Sequence, residues 1–249
     1  MSPKKRNEAV IAICVQEPTE DGSCMDLGLI KGDDLRFLHQ AFITDTITNA
    51  LDVAGADTRL YHIDEVDRKR LIRIVTEYLS TKLNGKRLDN FKNHYQAFEQ
   101  AKEGWGTRME KVFIDCFEAG YRNVLLVGSR TPTITSAMMK MALRMLKESD
   151  AVFGPTPEGR YYTIGMSGEY HIPLASFDWR SEHIYSQVTE AFIDKKLSWS
   201  ELEIWYAVEN SEYLEMMARD INQYRFEGNE STSRETEIVM ERILARLEP

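Results

Sequence analysis

Two short loops carry the residue types that chemistry on a phosphate would need. The first is Gly128-Ser129-Arg130, inside the run VLLVGSRTPTIT over 124–135. The second is Glu158-Gly159-Arg160, inside GPTPEGRYYTIGM over 154–166. A guanidinium grips phosphate oxygens through forked hydrogen bonds, and a carboxylate can accept a proton from a hydroxyl or thiol. The same residues have plainer readings. Arg130 can pair with nearby acids, which a chain holding 40 aspartates and glutamates makes easy, and Arg160 and Glu158 can be solvated loop charges. Gly128, Gly154 and Gly159 serve backbone geometry first under either reading.

Loops of this kind need a frame. Residues 9–15 (AVIAICV) form a short apolar run closed by Glu17-Pro18, the pattern of a buried strand. Residues 19–34 are rich in Gly, Asp and Glu without a period, which predicts a long loop. Over 35–54, Leu38, Phe42, Thr46 and Ala50 recur every fourth position, an amphipathic helix. A strand at 58–63 and a helix at 66–83 follow, then a helix at 105–119 stopped by Gly120. Strands at 123–127, 151–153 and 161–166 alternate with helices at 136–148 and 181–195. That order predicts an α/β fold, a mostly parallel sheet with helices on both faces. Ligands of such sheets bind outside the carboxyl ends of the strands. Here those are the loops after Val15, Val127 and Phe153, although ordinary turns would use the same residues.

Bulk properties narrow the function classes. A chain of 249 residues accommodates one large domain, or one domain with an added terminal element. A net charge of −9 argues against nucleic acid or an anionic membrane as partner unless a basic patch is segregated. The basic cluster Lys4-Lys5-Arg6 has no apolar segment behind it, and no stretch approaches the roughly 20 apolar residues that cross a bilayer. Cys14, Cys24 and Cys116 form no C-x-x-C pair and leave one thiol over. We therefore expect a soluble protein of the reducing cytoplasm, with Cys14 and Cys116 as core thiols. Five scattered histidines offer no metal spacing, and no residue is assigned to a metal. The segment 226–234 (FEGNESTSR) reads as a linker that closes a domain over 1–225. Beyond it Val239, Met240, Ile243, Leu244 and Leu247 give an extra C-terminal amphipathic helix. Its apolar face must fold back on the chain or meet a second copy in a homodimer.

Four motifs then occur in order: Gly106-Thr107-Arg108-Met109, Phe117-Glu118-Ala119-Gly120, and the two runs that carry Arg130 and Arg160. On these the chain resembles the DUF2064 group of GT-A-like glycosyltransferases, from about residue 9 to about residue 221. Patterns of that group read L-G-x-R-M, G-S-D-x-P-x-L-T and G-P-x-x-D-G-G-Y-Y-L-I-G-L. The resemblance implies the Rossmann-like nucleotide-diphospho-sugar transferase fold. It also implies transfer of a sugar from a nucleotide-diphosphate sugar to a small acceptor, with a nucleotide or nucleotide sugar as the bound partner. A divalent metal, Mg or Mn, is the usual cofactor.

Departures from those patterns change the expected chemistry. The family's first loop, P-G-x-V-K-T-R-L, is replaced by an acidic stretch from Thr19 to Asp26. Its aspartate after Gly-Ser is Arg130, its Asp-Gly-Gly-Tyr is Glu158-Gly159-Arg160-Tyr161, its Trp-Ser-Thr is Trp179-Arg180-Ser181, and its late Asp-Val-Asp-Thr is Ala207-Val208-Glu209-Asn210. The two aspartates expected beside a metal thus become Arg130 and Ala207, and neither side chain can ligate one. Two readings follow. In one, Arg130 and Arg160 replace the cation on the leaving diphosphate, with Gly128, Ser129 and Gly159 shaping the phosphate loops. Glu158 is then the catalytic base, and Tyr161 and Trp179 wall an acceptor pocket, unless those rings are core packing. In the other, catalysis has decayed and the fold is a binding or assembly module. Nucleotidyl transfer fits less well, because it calls for a Gly-rich basic first loop.

Overall fold

The computed structural model describes residues 7–15, 25–169 and 172–247. The basic cluster at 4–6, Cys24 and most of the acidic first loop lie outside the described residues. Among the described residues seven strands form one sheet: β1 (Ala9–Cys14), β2 (Ala56–Ile63), β3 (Tyr95–Gln100), β4 (Asn123–Gly128), β5 (Ala151–Pro155), β6 (Tyr161–Ser167) and β7 (Trp199–Glu201). Their order is β3-β2-β1-β4-β6-β5-β7. Only β6 runs antiparallel to its neighbours β4 and β5. The cause is local: the turn at 156–160 is too short for the crossover that a parallel neighbour requires.

Eight helices complete the fold among the described residues: α1 (Gly32–Leu51), α2 (Val66–Lys82), α3 (Gly85–His94), α4 (Trp105–Glu118), α5 (Ser136–Met145), α6 (Ile184–Asp194), α7 (Ser211–Phe226) and α8 (Arg234–Leu247). Side chains alternate across a strand, so β1 feeds two cores. Ile11 and Ile13 pack with Ile43 and Ile47 of α1, Val75 of α2 and Met139 of α5. Val10 and Ala12 face Val112 and Phe113 of α4, with Val188 and Phe192 of α6 in the same cluster. Both faces are covered, as the near-continuous apolar run of β1 demands. Cys14 and Cys116 are buried, as core residues would be.

Three departures from the sequence reading bear on the site. Residues 85–100 form α3 and the edge strand β3. Residues 199–201 form β7, and 211–226 form α7, whose N-cap Asn210 accepts from the Tyr213 N–H at 2.9 Å. The segment 226–234 is shorter as a connection than its composition predicts, because α7 runs through Phe226 and α8 begins at Arg234. Arg225 ties its two ends, donating to Glu237 at 2.9 Å and to the Asn229 carbonyl at 2.6 Å. The C-terminal helix lies against its own chain. Ile243 joins Leu38, Phe42, Val208, Met217 and Ile221 in a third core, and Arg246 reaches Asp34 at 2.6 Å. No helix among the described residues is long and apolar enough to cross a membrane.

Candidate functional site

β1 pairs in parallel with β2 on one side and β4 on the other, so the chain leaves β1 at a topological switch point. The carboxyl ends of β1 and β4 stay bound beyond their last rungs: the Ser129 N–H donates to the Cys14 carbonyl at 3.2 Å. Antiparallel β6 begins at this same end, because its Thr163 pairs with Val127. The loop after β4 and the β5–β6 turn are therefore neighbours. They form one side of a cleft of about 840 Å³, whose opposite side is the start of α4 and the segment around Trp179.

Within that cleft Arg130 is buried, with 2% of its side chain exposed, and donates to Glu209 Oε1 at 3.2 Å. Its carbonyl accepts from the Val208 N–H at 2.8 Å, so the backbone beside Glu209 is pinned to the same residue. Arg160, 42% exposed, approaches the other Glu209 oxygen at 3.8 Å. Two guanidinium groups from separate loops thus converge on one carboxylate. Gly159 sits at φ +70°, where an L side chain is strained, and its N–H donates to the Thr156 carbonyl at 3.0 Å. That tight turn is what aims Arg160 into the cleft. Glu158, by contrast, is exposed on the turn and does not line the cleft; nor do Gly159 and Ser129. Among the described residues the carboxylates that do line it are Asp26, Asp178 and Glu209.

Behind Arg130 lies a second layer. Ser129 is buried, and its Oγ is 3.3 Å from Nε2 of His39, a buried residue of α1. Burial, and then the Arg130 charge, push the His39 imidazole down to about 3. The ring is neutral at physiological pH and can share a hydrogen bond with Ser129 without adding charge. Thr131, also buried, lines the cleft with a hydroxyl that has no hydrogen-bond partner among the described residues.

The aromatic residues divide as strand alternation requires. Tyr162 is buried and donates to the Glu203 carbonyl at 3.1 Å, whereas Tyr161 is half-buried, lies 6.3 Å from the Trp179 ring and donates to the Tyr185 carbonyl. Trp179 Nε1 donates to the Leu174 carbonyl at 2.8 Å. A Cβ at Gly106 would come within 2.5 Å of both atoms of that bond, so only glycine lets Trp179 lie against α4. Arg108 of the same motif is structural. It is fully buried and donates to the Val15 carbonyl at 2.7 Å, tying the end of β1 to α4.

Arg130, Arg160, Tyr161, Trp179 and Gly128 thus share one cleft. Sequence reasoning left Glu209, His39, Thr131 and Asp178 without roles. Glu209 stands in the motif segment 207–210, and its opposite charge beside two loop arginines was a usable signal. For His39 there was none, since nothing in a helical pattern says which loop one of its faces will meet.

Comparison with known proteins agrees with this architecture. Residues 64–181, which contain Arg130, Arg160 and Trp179, match the family described as "Uncharacterized protein conserved in bacteria" (DUF2064). No curated protein matches the sequence. Among solved structures, a proposed nucleotide-diphospho-sugar transferase from Desulfovibrio desulfuricans G20 is 22% identical, with 95% of this chain and 98% of that one covered and a TM-score of 0.68. A nucleotidyl transferase from Methanothermobacter thermautotroptrophicus is 10% identical over 86% of this chain and 99% of the other, at a TM-score of 0.54. A 4-diphosphocytidyl-2C-methyl-D-erythritol synthase from Anaerococcus prevotii is 12% identical over 86% and 95%, at 0.51. At such identities the likeness establishes the fold. The chain has the nucleotide-diphospho-sugar transferase fold, and its residues 64–181 are similar to the DUF2064 family.

Proposed function

We propose that the cleft binds a nucleotide-diphosphate sugar and transfers the sugar to a small acceptor, with arginine in place of a metal on the diphosphate. The observation that carries this is the convergence of Arg130 and Arg160 on Glu209 at the carboxyl end of the sheet. In the reaction an acceptor oxygen or sulfur attacks the anomeric carbon, the bond from that carbon to the diphosphate oxygen breaks, and negative charge grows on the leaving group. Guanidinium groups already aimed at that charge lower the barrier. A divalent metal does not suit these residues. Arg130 and Ala207 cannot ligate one, and Glu209 is engaged by two guanidinium groups. Asp178 lines the cleft beside Trp179, so we give it the proton-accepting role that the sequence suggested for Glu158.

One observation favours a binding module instead. Glu209 already neutralises Arg130, and Asp26 and Asp178 add negative charge to the cleft. A single experiment separates the two readings: thermal shift and calorimetry with nucleoside mono-, di- and triphosphates and nucleotide sugars, with and without manganese. Sugar transfer predicts a metal-independent shift with a nucleotide sugar, and loss of turnover, not of binding, in Asp178→Asn but not Glu158→Gln. Response to triphosphates alone would favour nucleotidyl transfer. If no nucleotide moves the melting temperature, the binding-module reading stands.

A further inference from the structure

The loop that carries Arg130 is held on its far side by the C-terminal third of the chain. Its Pro132 carbonyl accepts from Ser233 Oγ at 2.9 Å and from Asn49 Nδ2 at 3.3 Å. The Thr133 carbonyl accepts from Tyr224 of α7 at 3.0 Å, and Thr133 Oγ1 accepts from Trp205 Nε1 at 3.1 Å. Ser233 is fully buried and sits at φ +57°, a left-handed conformation that costs a non-glycine residue about 1 kcal/mol or more. Such strain persists only where the surroundings hold it. Arg225 holds this segment through the Thr232 carbonyl at 3.0 Å, and Asp45 of α1, buried, holds its other side: its two oxygens accept the Glu235 N–H at 3.1 Å and the Thr236 N–H at 2.7 Å. These are amides of the first turn of α8, which a helix leaves without internal partners, so a side chain from another helix caps α8.

We infer that Asp45 and Ser233 are positioning residues for the anion site: Asp45 docks the first turn of α8, and docked α8 presents Ser233 to Pro132, which fixes the loop holding Arg130. Neither residue lines the cleft. The link to ligand affinity rests on the nucleotide reading above; the link to loop order does not. Ionisation of Asp45 gives the dock a further handle. Burial pushes this carboxyl up to about 7, and the groups that face it are Glu235 of α8, Tyr78 of α2 and Arg87 of α3. A raised acid favours the docked state while protonated. Docking is therefore strongest near pH 4 and weakens as pH rises toward 7.

The experiment is hydrogen exchange on the full chain, read as protection factors corrected for intrinsic rate, in the segment 129–135 and in the sheet. Ser233→Gly removes the hydroxyl and tolerates the left-handed backbone, and Asp45→Asn keeps the side-chain size while giving up one of the two acceptor oxygens and the titrating group; melting curves confirm that each folds. Protection of 129–135 is expected to fall about tenfold in Ser233→Gly with β1 and β4 unchanged, as one lost hydrogen bond allows. Wild-type protection of the loop should drop from pH 5 to pH 7, and that drop should be absent in Asp45→Asn, a response that packing alone would not give. UDP-glucose, whose diphosphate does not titrate in this range, is the binding probe, and its Kd should rise several-fold in Ser233→Gly. Loop protection unchanged in both variants overturns the inference, as does a loosened loop that binds UDP-glucose with wild-type affinity. Loosened exchange in a protein whose wild type binds no nucleotide supports the positioning role and sinks only the nucleotide reading.

Discussion

Arg130 and Arg160 end on the same carboxylate from opposite circumstances. Arg130 is buried on a loop that β1, Val208, α7 and the start of α8 all grip, whereas Arg160 is 42% exposed on a turn gripped mainly by its own backbone. A buried guanidinium has lost its water, so its partner and its surroundings fix its position before any ligand arrives. An exposed one keeps its hydration and its rotamers, and pays entropy to make each new contact. Preorganisation belongs to Arg130, adaptability to Arg160.

Arg130→Ala is the severest way to break this contrast. It removes a buried ion-pair partner and leaves a cavity beneath the cleft, so we expect a loss of about 3 kcal/mol of stability and no measurable nucleotide shift. Urea unfolding and calorimetry on one preparation check both. If the variant is as stable as wild type, Arg130 is not the fixed member of the pair.

Glu209→Gln acts on both arginines at once. The carboxylate competes with a phosphate for the same guanidinium groups, so the amide variant should lose about 2 kcal/mol of stability, because buried Arg130 loses the carboxylate at 3.2 Å. It should nevertheless bind a nucleotide diphosphate more tightly than wild type. Stability and affinity moving in opposite directions is the signature, read by paired denaturant and binding titrations. Weaker binding would mean that Glu209 organises the site and does not compete for it.

The same contrast governs what the sequence could disclose. Arg130 and Arg160 were legible because each sits in a run with a strand on at least one side, and strands with two buried faces announce themselves as apolar runs. Helices α2, α4, α5 and α6 were legible from the sequence, and so was α1, although from Leu38 onward it is covered on every side and is not the one-faced amphipathic helix that its spacing predicted. The missed elements are those with little to bury. β3 is a mostly exposed edge strand, β7 has three residues, and α7 buries only Met217 and Ile221, too narrow a stripe to stand out in SEYLEMMARDINQYRF. Yet α7 and α8 hold the Arg130 loop. Their grip runs through single hydrogen bonds from Tyr224 and Ser233, and a hydrogen bond between residues 101 positions apart leaves no local pattern. Glu158 illustrates the converse. A motif position was legible, but whether its side chain faces the cleft depends on the turn, and this turn aims Arg160 inward instead.

Arg160→Ala sharpens the comparison from the exposed side. A surface arginine in a pair at 3.8 Å contributes little to folding, so stability should stay within about 0.5 kcal/mol of wild type. Affinity for a nucleotide diphosphate should fall about tenfold, which is about 1.4 kcal/mol. A large stability loss with unchanged affinity would reverse the roles assigned to the two arginines.

The smallest effect is a pH response to which the buried arginine contributes and the exposed one does not. His39 lies in the field of Arg130, and burial together with that field lowers it from 6.5 to about 3. The folded state therefore binds fewer protons than the unfolded state between these values, and stability is lost as pH falls below about 6.5. From pH 7 to pH 6 the loss is about 0.7 kcal/mol. Asp45 opposes it, since its raised value makes the fold gain about 1 kcal/mol over the same step down in pH. Wild-type stability should be nearly level between pH 6 and 7, and Asp45→Asn should expose the His39 slope. Adding Arg160→Ala should leave that slope untouched, while Arg130→Met should flatten part of it by lifting His39 back toward its ordinary value. NMR titration of the His39 ring reads the same shift directly. A His39 that titrates near 6.5 beside an intact Arg130 would remove the buried charge from the account.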